Sequence, residues 1–297
     1  MRADLRRGGR RFSQRGGALV KHRESRFTGA EGVSIYWQTW QPEDAPDAVL
    51  VIAHGLGEHG GRYAHVAEFM VAQGMAVYAV DHRGHGRSEG RRAKIDRFVN
   101  VTQDLDEVVE AARRENRDKP IFLLGHSMGG AIALAYAIGH QEKLQGLLLS
   151  GPALSLDALP WFVRALCQVL TVVAPNLPLF AVEPELVSRD PSVVEDYRSD
   201  PLNMHDKVPV RTLGEIIKTV QWVPRALGLL KLPMLVMHGS EDQLVPASAS
   251  RTIHDRSGSA DKTLQLYPGL FHEILNELPP DREQVMQDAW NWIRARL

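Results

Sequence analysis

The stretch Ile121-Phe122-Leu123-Leu124-Gly125-His126-Ser127-Met128-Gly129-Gly130-Ala131-Ile132-Ala133-Leu134-Ala135 decides how the rest of the chain is read. Its four opening apolar residues read as a buried strand, and the alanine-rich run from Met128 to about His140 reads as a helix. Between them, Gly125-His126-Ser127-Met128-Gly129 fits G-x-S-x-G, a serine held on a strained turn where strand passes into helix. The flanking glycines remove side chains that would collide at such a turn. The helix N-terminus favours negative charge developing beside the serine. A glycine-rich turn can arise by chance; the strand before it and the helix after it make Ser127 the candidate nucleophile.

A serine hydroxyl is a weak nucleophile without a base. In this pattern the acid and then the histidine follow the serine along the chain. Met234-Leu235-Val236-Met237-His238 leads into Gly239-Ser240-Glu241-Asp242, and Leu264-Gln265-Leu266-Tyr267 leads into Pro268-Gly269-Leu270-Phe271-His272. His272 is thus the candidate base, and Asp242 or its neighbour Glu241 the acid that orients it. His54-Gly55-Leu56-Gly57 follows the apolar run Val49-Leu50-Val51-Ile52-Ala53, where a first oxyanion donor belongs. The backbone N–H groups of Leu56 and Met128 are expected to face the tetrahedral oxyanion, which explains why neither needs a polar side chain. His54 reads as a loop-shaping hydrogen bonder. His59, His82 and His85 lack partners at recognised ligand spacing, so no metal is expected. Cys167 sits in an apolar run without a basic motif and reads as a packed thiol.

Outward from the turn, strand and helix patterns alternate. Residues 33–40, 48–54, 75–80, 121–125, 144–150, 233–238 and 263–267 read as strands, and 61–74, 98–116, 128–140, 247–256 and 281–296 as helices. Such alternation predicts an α/β fold, a mostly parallel central sheet flanked by helices, with its chemistry at the carboxyl ends of the strands. The alternation breaks over residues 152–228, where helical patterns and scattered prolines predict an inserted helical cap with no strand. The core is expected in two parts, 25–151 and 229–297, and the basic residues 1–24 as a disordered leader.

The 297 residues are 44% apolar and 24% charged, ordinary for a globular protein able to bury a large core. Net charge is −1, but residues 1–26 carry +7 and the remainder −8. An acidic body argues against nucleic acid as a partner. The paired arginines Arg6-Arg7 and Arg10-Arg11 suggest an export signal, but only Ala18-Leu19-Val20 follows where an apolar segment is required. One cysteine excludes an intrachain disulfide, and no apolar run is long enough to span a bilayer. A cytoplasmic protein, at most peripheral to a membrane, is the expectation; nothing in the sequence indicates its oligomeric state.

The stretches His54-Gly55-Leu56-Gly57-Glu58-His59-Gly60-Gly61-Arg62-Tyr63, Asp81-His82-Arg83-Gly84-His85-Gly86-Arg87-Ser88 and Gly125-His126-Ser127-Met128-Gly129-Gly130 together resemble the monoacylglycerol lipases, serine hydrolases of the α/β-hydrolase fold. The resemblance covers about residues 25–297 and includes Ser188-Arg189-Asp190-Pro191 in the cap. It favours Asp242 over Glu241, because Val245-Pro246 follow as in the family. It implies hydrolysis of monoacylglycerol to glycerol and fatty acid without a cofactor, with Glu58 and Arg62 near the glycerol end. Vertebrate members carry a second histidine three residues after the catalytic one; here that position is Leu275, and the bacterial pattern fits better. Lysophospholipase or general carboxylesterase activity is the near alternative, and a catalytically silent lipid-binding scaffold the distant one. Epoxide hydrolases and haloalkane dehalogenases place Asp at the elbow, against Ser127.

The cap supports an oily substrate independently. Leu156, Leu159, Trp161, Phe162, Leu166, Val169, Leu170, Val172 and Val173 crowd one short segment, too apolar for a single amphipathic face. Leu159, Phe162, Leu166 and Leu170 are expected to line the acyl tunnel. The outer side either touches a membrane or micelle transiently or is buried against the body.

Overall fold

The computed structural model describes residues 11–13, 20–156 and 160–297. In chain order the strands are β1 (Arg11–Ser13), β2 (Val20–Thr28), β3 (Ser34–Gln41), β4 (Ala48–Ala53), β5 (Met75–Val80), β6 (Ile121–His126), β7 (Gly146–Ser150), β8 (Pro178–Phe180), β9 (Val208–Pro209), β10 (Met234–Gly239) and β11 (Lys262–Tyr267). The helices are α1 (Ala64–Ala72), α2 (Phe98–Glu115), α3 (Met128–His140), α4 (Trp161–Val173), α5 (Pro191–Ser199), α6 (Val210–Ala226), α7 (Ser248–Arg256) and α8 (Pro279–Arg294).

Nine strands make one sheet in the order β1-β2-β3-β5-β4-β6-β7-β10-β11. The six from β5 to β11 along that order run parallel, while β1, β2 and β3 add antiparallel pairings at one edge. Every residue of β4, β5, β6, β7 and β10 is buried, as continuous apolar runs covered on both faces must be. Side chains of α2, α3, α6 and α7, among them Leu105, Ile132, Val223 and Ile253, build the core on one face. Val66 and Met70 of α1 with Val285 and Trp290 of α8 build it on the other. The predicted mostly parallel sheet flanked by helices is thus the observed fold. The loops holding Leu56, Ser127, Asp242 and His272 all leave the carboxyl ends of parallel strands β4, β6, β10 and β11.

Three expectations need correction. Of the expected leader, Val20–Glu24 lie inside β2, which pairs with β3 from Lys21↔Gln41 to Thr28↔Ser34; residues 1–10 and 14–19 lie outside the described residues. Only Val20 of β2 is buried and the strand has no apolar alternation; besides its ladder to β3 it is held by Phe27 against the core and by the Arg23–Glu115 and Glu24–Arg87 ion pairs. The cap, expected to be all helical, contains a small antiparallel sheet of β8 and β9. Its last helix also does not stay in the cap: Val220 and Val223 of α6 and Leu227 beyond it pack into the main core.

Candidate active site

Ser127 follows β6 and precedes α3 with φ 53° and ψ −120°, a conformation that L residues adopt only when their surroundings impose it. The turn is held by the Ser127 N–H donating to Ser150 O at 2.9 Å and the Gly130 N–H donating to Ser127 O at 2.9 Å. A Cβ on Gly129 would stand 2.1 Å from Ala53 O, so only glycine lets α3 start against the end of β4. That close approach brings the loop after β4 to the serine. Met128 opens α3, so its N–H is among those a helix leaves without an intrahelical acceptor. Leu56 and Met128 line the same cavity as Ser127.

The loops after β10 and β11 bring the acid to the histidine. His272 Nδ1 lies 2.6 Å from Asp242 Oδ2, and both side chains are buried. The Leu244 and Val245 N–H groups donate to Asp242 Oδ1, each at 2.9 Å. Burial alone would raise the Asp242 carboxyl, but the His272 charge, with hydrogen bonds from His238, His272 and Val245, holds it well below the usual range. For His272, burial opposes the charged form, and the Asp242 carboxylate overrides it, raising the imidazole above its ordinary value. Glu241 is exposed and accepts from its neighbour Ser240 Oγ at 3.3 Å. Of the two rivals, the geometry brings Asp242, not Glu241, to the histidine.

His238 was not foreseen. It is the next-to-last residue of β10, four before Asp242, and its Nε2 lies 3.0 Å from Asp242 Oδ2 and 2.9 Å from Val245 O. Both neighbours are acceptors, so Nε2 carries the proton, and Nδ1 accepts from Ser250 Oγ at 2.6 Å. A histidine near the end of the strand ahead of the acid was the only sequence signal.

The cavity has a volume of about 280 Å3. Its lining includes Ser127 and His272, an apolar set of Phe180, Val182, Val187, Leu213, Ile216 and Val245, and a polar set of Glu58 and Glu273, joined through Arg62, with His126 and Tyr197. The predicted tunnel residues do not make this apolar wall. Phe162 and Leu166 are 58% and 56% exposed on the outer side of α4, and Leu170 packs with Cys167, Val210 and Ile217. Leu159 lies outside the described residues. The wall comes instead from β8 and the segment after it, from α6 and from the loop carrying Asp242, because α4 docks on α6 through its other face.

Glu58 lines the cavity, whereas Arg62, expected beside it at the glycerol end, does not; the two belong to one buried network. Glu58 Oε1 accepts from the Gly55 N–H at 2.6 Å and the Tyr63 hydroxyl at 2.8 Å, and Oε2 accepts from Arg62 Nη1 at 2.8 Å. Arg62 also donates Nη1 and Nη2 to Glu273 Oε1 and Oε2 at 2.6 and 2.7 Å and lies over the Tyr197 ring. Glu273, beside His272 in sequence, was not foreseen, since nothing local marks a charge next to the base as buried. Burial raises the Glu58 carboxyl; at Glu273 burial is outweighed by Arg62, which holds it down to about 2.

The other histidines pack below this loop. His54 lies 4.4 Å from His82 and 5.4 Å from His85, ring to ring, and His54 Nε2 accepts from the His82 N–H at 2.9 Å. Among the described residues no group of three or more His, Cys, Asp or Glu side chains is arranged to hold a metal ion.

A family model described as serine aminopeptidase, S33 matches residues 44–279. The chain is 40% identical over 275 residues to the monoacylglycerol lipase of Mycolicibacterium smegmatis, covering 92% of this chain and 98% of that protein. It is 34% identical to the monoglyceride lipase of Rattus norvegicus, covering 91% of this chain and 90% of that one. Among solved structures, the monoacylglycerol lipase of Paleococcus ferrophilus matches with a TM-score of 0.80 at 30% identity, over 89% of this chain and 99% of that chain.

Proposed function

The chain belongs to the serine aminopeptidase S33 family of α/β-hydrolases and, within it, to the monoacylglycerol lipases, and from that premise we propose that it hydrolyses monoacylglycerols to fatty acid and glycerol through an acyl-enzyme formed on Ser127. The observation that carries the reading is a single cavity lined by Ser127 and His272, by apolar side chains and by carboxylates, matching an ester with one oily and one hydroxylated side.

Ser127 Oγ attacks the ester carbonyl as His272 Nε2 takes its proton. Asp242 holds the imidazole through Nδ1 and stabilises the imidazolium. The carbonyl oxygen becomes an oxyanion facing the N–H groups of Leu56 and Met128; one such donor is typically worth ~10²–10³ in rate. Collapse of the tetrahedral species breaks the bond to glycerol, whose oxygen takes the proton from His272. Water, deprotonated by the same histidine, then releases the fatty acid and restores Ser127. No cofactor enters these steps.

The acyl chain leaves water against Phe180, Val182, Leu213 and Ile216, at ~0.8 kcal/mol per CH₂ buried. The glycerol hydroxyls meet the end bearing Glu58. Trp161, Phe162, Leu166, Val169, Val172 and Val173 form an apolar face on α4, each at least 56% exposed. That exposure runs against a lid helix buried in the body and supports transient contact with a membrane or micelle. No described helix is long and apolar enough to cross a membrane.

The test is a substrate panel with wild type and Ser127→Ala. Wild type should cleave monoacylglycerols far faster than triacylglycerols of equal chain length and react with a fluorophosphonate probe; Ser127→Ala should do neither. Labelling retained in Ser127→Ala would move the nucleophile elsewhere, and fast triacylglycerol turnover would make the enzyme a general lipase.

A further inference from the structure

The polar end of the cavity has an electrostatic character that the family assignment does not supply. Glu58 and Glu273 both line the cavity, yet they are only 2% and 4% exposed. Arg62, which joins them, is not among the lining residues; it lies behind the two carboxylates and lines a separate cleft with His65 and Asp196. The cation is therefore screened from the substrate by the anions it binds.

The acceptor count is specific. An ionised carboxylate offers about four acceptor positions. Glu58 uses three, for Gly55, Tyr63 and Arg62. Glu273 uses three, two for Arg62 and one for Asn276 Nδ2 at 2.9 Å. Each thus retains about one lone-pair position. All the partners of both carboxylates are donors, which fits the ionised forms. Two carboxylates share one guanidinium, so carboxylates outnumber the cation at this end of the cavity.

We propose that Glu273 sets the alcohol specificity of this enzyme: with Glu58 it makes the polar end of the cavity a carboxylate-rich subsite, dominated by acceptors, that binds neutral polyols through their O–H groups and rejects phosphorylated ones. The inference rests on the monoacylglycerol reading and deepens it. A monoacylglycerol brings two free hydroxyls, both able to donate, to two vacant acceptor positions. A lysophosphatidate brings a phosphate that can only accept and that carries like charge. Such a contact in a water-poor site is penalised by repulsion and by desolvation of the phosphate without a donor. The chemistry at Ser127 is identical for the two esters, so discrimination arises at the leaving group alone.

The experiment compares kcat/KM for 1-oleoylglycerol and oleoyl lysophosphatidate in the same neutral detergent micelles. Wild type should prefer the glycerol ester by roughly 100-fold or more, and Glu273→Gln, which removes one of the two carboxylates, should reduce that ratio by roughly tenfold. A merely structural role for Glu273 would lower both rates together and leave the ratio unchanged, which would overturn the proposal. Wild type supplies a second measurement independent of how the variant folds. Glycerol should inhibit turnover of p-nitrophenyl butyrate competitively at concentrations where glycerol 3-phosphate has no effect; equal inhibition by the two would overturn the proposal. Equal turnover of the two lipids would overturn this inference and leave the monoacylglycerol reading intact. Turnover of p-nitrophenyl butyrate without turnover of 1-oleoylglycerol would overturn both.

Discussion

His238 Nε2 lies 3.0 Å from Asp242 Oδ2, the same oxygen that meets His272 Nδ1 at 2.6 Å. One carboxylate oxygen thus joins two imidazoles, one beneath it and one at the cavity. With Leu244 and Val245 on the other oxygen, Asp242 is fixed in position and kept charged.

Asp242→Asn should therefore lose activity on the order of 10⁴-fold with the fold retained, as in serine proteases where the amide imposes the wrong histidine tautomer. Glu241→Gln, at an exposed position, should change turnover less than about threefold. His238→Phe keeps the ring volume and removes one donor to a buried charge; such a bond is worth about 1.5–3 kcal/mol, so turnover should fall roughly 10- to 100-fold. Kinetics on a soluble ester, with thermal melts as a fold control, check all three. A larger loss in Glu241→Gln than in Asp242→Asn would reverse the assignment.

The pH profile follows from the same contact. As the proposed base His272 would act only when neutral, and its value is raised because the Asp242 carboxylate outweighs the effect of burial. The acid limb of kcat/KM should therefore have its midpoint above about 6.5, the ordinary histidine value. In a residual-activity profile of Asp242→Asn the midpoint should move down, since burial then acts without the compensating charge. A midpoint below 6 in wild type would contradict the pairing.

Stability should respond to acid through different groups. Burial, aided by neighbouring imidazoles, holds His54 well below its ordinary value and His82 and His126 at about 3, and burial aided by Arg92 holds His85 at about 4. Below pH 6.5 the unfolded chain protonates these residues while the folded protein does not, so folding weakens as pH falls from about 6.5 towards 4. Each group contributes up to about 1.4 kcal/mol per pH unit across that window. His65, also lowered by burial, acts with these four, while His272 and the buried carboxyls of Glu58, Asp81 and Asp104, whose values are raised, act in the opposite direction. Glu273 and Asp242, whose values are depressed, add their losses only below about pH 4.5. Denaturant titrations at pH 7.5, 6.0 and 5.0 should give steadily lower stability; a flat result would mean these histidines are not held neutral.

What the sequence revealed and what it hid have a common cause. Ser127, Leu56 and Met128 are legible because their demands are local: Gly129 must lack a Cβ wherever α3 starts against Ala53 O. His272 and Asp242 are legible because each lies in the loop that follows a late strand, in a fixed chain order. The acyl wall was not legible, because it depends on which face of α4 docks. The inward face carries Thr171, 4% exposed, while Val172 beside it is 77% exposed. A Cβ on Gly214 would stand 2.0 Å from Thr171 Cγ2, so a glycine forty-three residues away admits the threonine and turns the oilier side outward. Strand β2 was missed for a similar reason. Its sequence VKHRESRFT has no apolar period, and its support, the ladder to β3 with the Arg23–Glu115 and Glu24–Arg87 ion pairs, is made to residues distant in sequence.

The outward face of α4 gives the last prediction. Phe162, Leu166, Val169 and Val173 follow a helical repeat of three and four, and Trp161 and Val172 flank that stripe. None of these six lines the cavity, so polar replacements there should leave the site intact. A lipid surface would bury the stripe, and loss of two large aromatic side chains should weaken partitioning at least tenfold, given ~0.8 kcal/mol per buried CH₂. Trp161→Ser with Phe162→Ser should therefore sediment poorly with neutral phosphatidylcholine vesicles. Its turnover of vesicle-borne 1-oleoylglycerol should fall in proportion, with p-nitrophenyl acetate hydrolysis kept within about twofold. Equal losses on both substrates would mean the stripe supports the fold of the cap. Unchanged vesicle binding would mean another surface meets the lipid.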